Sequence, residues 1–595
     1  MADVTPCQSG STLPAMLHRR PTSLLLLLTL LPSALVGCGS SGTTPDAGPT
    51  DSAMPDGGVD GSLPDTGRAG PLMPACEDTE MPGTVSLPLA PSTLVASVRP
   101  SMARVMSADP DFNPALEDGE LHYTAMGMDQ FDQGPGVDRV QRVLASADTT
   151  FSTRRSLAWF VQVSDLQLAD DESPARFAGP DSAAVPGGLR PQEAYLARAI
   201  SAMSRTLTDI ESPARPYDFG IFTGDCADSG QLNELRWVIG VLDGQAGLET
   251  DSGEDDDPIP GPGNDPKDPF DAVAFPAPWL YVPGNHDLEV SGVLAVDADQ
   301  MARALGTRPL FGTRDYRQWA APVTYRSVPA DPMRKLVHRE DIVAELVADT
   351  STDPGPPGHG FHAGADVSLG ANYAHDAIPG LLRILALDSS DLTGGSPGLV
   401  TRATVDGWLL PELARAETDG VLVLLASHHS TTAMDRHAAE TGPIVPDAMD
   451  PREIEVLVAQ HPQVIAWIVG HNHDNRVRMV AGADAAHPGY WEIMTSAIAD
   501  WPEQARFIEL VDNGNGTLSI FGTLVDYATE TCMERRYRRL SLLDYNSAWV
   551  DDYSKSPMDS NVELVLPMPA GAATAVAAAT GHDRLESETT LRGMP

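Results

Sequence analysis

Basic residues are scarce in this chain: 39 lysines and arginines stand against 83 aspartates and glutamates, a formal net charge of -44 at pH 7. A surface of that sign repels polyanions, which excludes nucleic acid as a partner, and any anionic substrate must be met by cations held locally. Much of the acidity lies in polar linkers, as in the run 254–257, where it is simply solvated; it speaks for solubility and not for mechanism. Cysteine is also scarce, five in 595 residues, and no zinc-finger spacing occurs. Long apolar runs are missing too: the stretch 24–31 falls well short of the ~20 residues that cross a bilayer. Glycine and proline are plentiful, at 52 and 51, which predicts long loops and excludes a helical bundle.

The short apolar run follows His18, Arg19 and Arg20 and precedes Leu35-Val36-Gly37-Cys38, the arrangement of an export signal, and Met16 offers a start that would make it compact. Leu35 to Cys38 resemble a bacterial lipobox, which implies cleavage before Cys38, lipidation of its thiol and a lipid anchor in the bacterial cell envelope, on the periplasmic or surface side. Cys76, Cys226 and Cys532 then remain in the mature body, and an oxidising compartment permits a Cys76–Cys532 disulfide that sequence alone does not establish. The expected organisation is a signal peptide (1–37), a disordered linker (38–80), an N-terminal accessory segment (81–150), a catalytic domain (151–530) with an acidic loop insertion at 243–278, and an extension (531–595). The linker is too poor in large apolar residues to fold, and the Ala, Gly and Thr-rich chain after Leu566 is expected to be a disordered tail.

Apolar runs at 157–163, 219–222, 279–282, 381–387, 421–425 and 464–469 read as buried strands. A helix-period face of Leu196, Ile200, Met203 and Leu207 follows the first, and a second helix is expected over 232–241. The runs 507–511 and 518–525, joined by Asn513-Gly514-Asn515-Gly516, predict a hairpin that would close the sheet. Strand, helix, strand alternation argues for an α/β domain whose chemistry gathers beyond the carboxyl ends of its strands.

That is where the ligand-type residues fall: Ser164-Asp165-Leu166-Gln167, Gly224-Asp225-Cys226-Ala227-Asp228, Gly284-Asn285-His286-Asp287, Ser427-His428-His429 and Gly470-His471-Asn472-His473. Singly, Asp165 reads as a strand-end cap, Gly224-Asp225 and Asn285 as turn residues, and His428-His429 as a solvated pair. Jointly, each segment following an apolar run, they point to one site.

The ordered set resembles the calcineurin-like metallophosphoesterase superfamily, whose signature runs DxH, GD, GNHD or GNHE, a lone His and GHxH; the resemblance covers about residues 155–530. It implies a mixed β-sandwich of two sheets flanked by helices, in the α/β (α+β) class. It implies two divalent metal ions, manganese, iron or zinc, and hydrolysis of phosphodiesters or phosphomonoesters by a metal-activated water. Asp225 matches the bridging carboxylate, Asp165 and His473 would complete the first metal site, and Asn285, His428 and His471 the second. His286 matches the family histidine that acts on the leaving group, with Asp287 expected either to orient it or merely to cap the loop. His428 is preferred to His429 because it comes first after its strand. Gln167 stands where the family has the histidine of DxH; as a neutral ligand it implies a looser first metal, a harder ion, a single-metal enzyme or a degenerate binding site. Arg176 and His359 are further candidates for contacting substrate, against the plainer readings of an exposed arginine and a mobile loop histidine. The substrate expected is a small-molecule phosphate ester. The alternatives are an exported nucleotidase and a non-catalytic metal-binding surface lipoprotein.

Overall fold

The computed structural model describes residues 76, 91–102, 123–151, 153–178, 190–212, 215–253, 256–314, 323–547 and 557–594. The export signal, Cys38 and nearly all of the linker lie outside the described residues. Among the described residues, no helix is long and apolar enough to cross a membrane.

An antiparallel ribbon of β1 (Ala96–Pro100) and β2 (Phe131–Pro135) comes first. Next, β3 (Val140–Val143), β4 (Arg155–Val163), β5 (Phe219–Phe222) and β6 (Trp279–Tyr281) begin a large sheet. A short pair, β7 (Thr313–Arg314) and β8 (Val323–Thr324), precedes a second sheet made of β9 (Tyr373–Ile378), β10 (Leu382–Leu387), β11 (Leu422–Ser427), β12 (Val464–Val469), β13 (Arg476–Ala481) and β14 (Gly489–Met494). Finally β15 (Gln504–Asp512), β16 (Thr517–Asp526) and β17 (Val562–Pro567) return to the first sheet. Its seven strands run β3-β17-β16-β15-β4-β5-β6, against six in the order β13-β14-β12-β11-β10-β9.

Each sheet contains a parallel block: β4, β5 and β6 in the first, β10, β11, β12 and β14 in the second. Parallel neighbours need crossovers, and helices supply them. Leu196–Ile210 links β4 to β5, Leu232–Leu242 links β5 to β6, Leu410–Asp419 links β10 to β11 and Pro451–Val458 links β11 to β12. Strands covered on one face by helices and on the other by the opposite sheet are buried throughout, so β5, β6, β11 and β12 are almost wholly apolar, and β10 is interrupted only by Arg383. Phe160 and Ile508 of the first sheet meet Leu424 and Ile468 of the second in the shared core. The fold is the two-sheet mixed sandwich flanked by helices that the sequence led us to expect.

Two features differ from expectation. The hairpin β15–β16 forms, but in the interior of its sheet, with β17 and β3 beyond it, so it does not close the edge. The chain after Leu566 is folded and not a disordered tail. Val576 and Leu591 enter the main core, the amides of Glu586 and Ser587 donate to the Glu509 carboxylate, and Arg155 donates to the carbonyls of Val576 and Ala579. Anchoring through backbone groups and a few scattered apolar side chains leaves no periodic face for a sequence reading to find. The loop insertion at 243–278 is anchored at Lys267, which is buried between Asp171 and Asp251, at 2.8 and 3.2 Å.

Cys76 and Cys532 are joined as a disulfide, their Cα atoms 5.7 Å apart across a sequence separation of 456 residues. So wide a loop restricts the unfolded chain strongly, and Cys532→Ser is expected to lower stability by about 2–5 kcal/mol. Urea midpoints with and without reductant check this: reductant should destabilise the parent chain and leave the variant unmoved.

Candidate metal centre

Both parallel blocks present their carboxyl ends at the same place. Asp165 follows β4, Asp225 follows β5, Asn285 follows β6, His428 follows β11, and His471 and His473 follow β12. A parallel bridge between Ser164 and Ala497 ties the chain beyond β14 to the end of β4, and so joins the two sheets at the site. Four of these residues, and Gln167 beside them, have left-handed backbone: Asp165 (φ 51°), Asp225 (52°), His471 (75°), His473 (55°) and Gln167 (45°). Such conformations cost about 1–3 kcal/mol each and persist where surroundings impose them. Here the amides of Asp165 and Gln167 donate to the carbonyls of Gly224 and Asp225. Two glycines allow the loops to close: a Cβ on Gly284 would lie 2.1 Å from Asp225 Oδ1, and one on Gly470 would lie 2.0 Å from Ser164 Oγ.

Asp165, Asp225 and His428 are essentially without solvent contact. His428 Nε2 lies 2.9 Å from Asp225 Oδ2 and 3.9 Å from Asp165 Oδ1, His473 Nε2 lies 3.2 Å from Asp165 Oδ1, and His471 Nδ1 lies 3.3 Å from His428 Nε2. The far sides of two rings are spoken for. His428 Nδ1–H donates to the Thr223 carbonyl at 2.8 Å, and His473 Nδ1–H donates to Asp500 Oδ2 at 2.6 Å. Each ring therefore turns Nε2 inward, the tautomer and orientation that metal-binding histidines take when a carbonyl or carboxylate holds the other nitrogen. The carboxylates are held in turn: the His471 amide donates to Asp165, and the His286 amide donates to Asp225 Oδ1 at 2.9 Å.

Two further atoms fit a cation. Asn285 spends its amide nitrogen on the Gly292 carbonyl at 2.8 Å, and its Oδ1 is buried with no donor facing it; Gln167 Oε1 is buried in the same condition. An orphaned buried acceptor costs about 1–3 kcal/mol. Dications would satisfy both, and a donor set of carboxylate, amide oxygen and imidazole suits manganese, iron or zinc.

Charge tells the same story. Burial alone would push the His428 imidazole down, but Asp225 and Asp165 outweigh it and hold it up at about 9. Burial is likewise overcome at His473, where Asp165 and Asp500 hold the ring at about 10. His471 is pushed down to about 3 by burial and by His428 beside it. In the metal-free chain, protons thus take the places of cations. A metal must displace them, so loading at pH 7 is expected to release protons. Apparent affinity should rise with pH towards 9, about tenfold per pH unit for each proton displaced. Calorimetry in buffers of differing ionisation enthalpy counts the protons; none released would exclude His428 and His473 as ligands.

The remaining candidates are placed differently. The Asp287 carboxylate accepts from the amides of Ala227 and Gly284, both at 2.8 Å, so it fastens together the loops that carry Asp225 and Asn285 and does not orient His286. That ring is held instead by the Asp228 carbonyl, 2.7 Å from Nδ1. Arg176 is buried, not exposed, and its guanidinium is taken up by Asp228 and Glu193 at 2.8 and 2.7 Å. His429 Nδ1 accepts from Ser389 Oγ at 2.9 Å and its Nε2–H donates to the Ser396 carbonyl at 3.1 Å, so both nitrogens are used by protein groups. His359 is fully buried at the start of β6, bonded to Trp279 and Asp349, and does not join the cluster.

Sequence reasoning missed Asp228 and Asp500. Arg190 pairs with both, at 3.5 and 3.0 Å, completing a buried chain of charge from His473 to the residue that holds His286. The available signal was position: Asp228 lies three residues after Asp225, and Asp500 follows β14, a strand hidden in the sequence by Gly489 and Glu492.

No protein-family model matches this sequence, and no curated protein does. Among solved structures, the chain is similar to a dimetal phosphatase from Danio rerio, at 12% identity and a TM-score of 0.32, over 62% of this chain and 99% of that one. It is also similar to a purple acid phosphatase from yellow lupin (Lupinus luteus) seeds, at 10% identity and a TM-score of 0.29, over 76% of this chain and 59% of that one.

Proposed function

We propose that this chain is a metal-dependent hydrolase of phosphate esters. The observation that carries the reading is the convergence of Asp165, Asp225, His428, His471 and His473 on one spot, beside the orphaned oxygens of Asn285 and Gln167, at the carboxyl ends of both parallel blocks. In this reading Asp225 would be shared by two cations, the first held also by Asp165, Gln167 and His473 and the second by Asn285, His428 and His471. Two dications bound there would supply Lewis acidity and a nucleophilic water at neutral pH. The phosphate charge falls to those cations, because Arg176 and Arg190 are already committed to carboxylates. His286 retains 18% side-chain exposure, and its Nδ1–H is fixed by the Asp228 carbonyl. Its Nε2 is therefore the atom that faces an incoming ester, to hold a phosphoryl oxygen or, when protonated, to hand its proton to the departing alcohol.

The reading extends to location: an exported enzyme tethered to the envelope through Cys38. The Cys76–Cys532 disulfide supports an oxidising compartment. Cys38→Ala is expected to leave the chain soluble or unprocessed, and unchanged membrane association would sink the anchor.

The deciding experiment is turnover of aryl phosphate monoesters and diesters by the chain after chelation and refilling with manganese, iron or zinc. Turnover that appears only on refilling supports the phosphoesterase and identifies ester and ion. A folded, metal-loaded chain inert to both ester classes would favour the non-catalytic surface protein.

A further inference from the structure

Just beyond Asn285 the chain makes a tight turn, 289–294, and this turn touches groups that serve both sheets' share of the centre. Val290 and Leu294 pair across it, and the Gly292 amide donates to the Glu289 carbonyl at 3.2 Å. Ser291 and Gly292 have left-handed backbone, φ 49° and 64°. On one side the Gly292 carbonyl accepts from the Asn285 amide nitrogen at 2.8 Å, which leaves Oδ1 as the atom without a donor. The His286 ring lies against the same glycine: a Cβ there would stand 2.2 Å from His286 Cδ2 and 2.4 Å from Nε2.

On the other side the turn grips the loop that follows β10 in the second sheet. The Gly394 amide donates to Glu289 Oε1 at 3.0 Å, and the Gly395 amide to the Val293 carbonyl at 2.9 Å. These bonds are not needed to close the turn, which Val290 and Leu294 do by themselves. The next residue, Ser396, meets two histidines: its Oγ lies 3.4 Å from His471 Nε2, and its carbonyl accepts from His429 Nε2–H at 3.1 Å. His471 Nδ1 faces His428, so Nε2 is the far nitrogen, the one that a supporting group holds when the near one binds a metal.

We propose that the turn 289–294 is a staple between the two sheets and that Glu289 and Gly292 are positioning residues, a role that rests on the metal-centre reading above. Gly292 aims Asn285 and His286, and Glu289 fixes the loop that supports His471. Asn285 and His471 come from different sheets yet would hold the same cation. Their separation therefore needs a contact between the sheets close to both, because ligands must be placed to within about 0.5 Å.

The test is manganese binding by the full, metal-stripped chain, followed by equilibrium dialysis in the parent, Glu289→Ala and Glu289→Gln. Burial and the facing Asp391 push the Glu289 carboxyl up to about 9, so at neutral pH it is uncharged, and glutamine reproduces both its charge and its acceptor oxygen. Glu289→Ala is expected to weaken one step of the isotherm by about 10–100-fold, the range for losing an outer support of a metal ligand, with Glu289→Gln within about twofold of the parent. Unchanged binding in Glu289→Ala overturns the staple. Equal losses in the alanine and glutamine variants overturn it too, and assign Glu289 to packing alone. Should Glu289→Ala not fold, Gly292→Ala, whose Cβ would also stand 2.7 Å from Asn285 Nδ2, must weaken the same step, and unchanged binding there overturns the proposal likewise. Binding and not turnover is read, so a chain that shows these differences yet hydrolyses no ester fails the phosphoesterase reading and leaves the staple standing.

Discussion

Asp225→Asn is expected to reduce turnover of any phosphate ester by about 10³-fold or more, the scale seen when a group on which the whole site depends is removed. The substitution keeps size and the hydrogen bond from the His286 amide to Oδ1, so the loop should hold its shape. What is lost is the charge that faces His428 Nε2 at 2.9 Å and that the proposed cations would share. Metal content should fall with activity. Metal-dependent activity that survives with full metal content would remove Asp225 from the bridging position and with it the proposed centre.

His286→Gln is expected to lower kcat by about 10²–10⁴-fold on esters of ordinary alcohols. Metal content should be unchanged, because the ring holds only the Asp228 carbonyl. The loss should shrink on esters with acidic, easily expelled leaving groups, which need no proton. A loss of equal size for good and poor leaving groups would assign His286 to the phosphoryl oxygens and not to proton donation. The two variants thus separate holding the metals from moving the proton.

The strands around the site were legible because burial on both faces writes itself into sequence as continuous apolar runs, as in β5, β11 and β12. Strands at the margins were not. β3 is half-exposed and only four residues long, β13 alternates with arginines, and β17 is a single six-residue strand in the C-terminal extension. The candidate ligand residues were legible because they stand just beyond such runs, in types that bind metals. Their supports were not. Asp228 and Asp500 reach the site through Arg190 and through the crossing of the two sheets, at sequence distances of 38 and 310 residues, which no local pattern encodes. Arg176 and His359 show the converse: both residue types suggest a pocket, yet burial commits one to carboxylates and takes the other to the far end of β6.

By itself, then, the amino-acid sequence determined the class of the fold, the positions of its central strands along the chain and the candidate ligands, because hydrophobic burial and backbone periodicity act locally along the chain. Only the tertiary structure decided which nitrogen of each histidine faces inward, that Asp287 serves the loops and Asp228 the ring, and that the chain after Leu566 is part of the core. Those outcomes depend on hydrogen-bond partners and on electrostatic balance between residues remote in sequence, and such pairings exist only once the two sheets have packed.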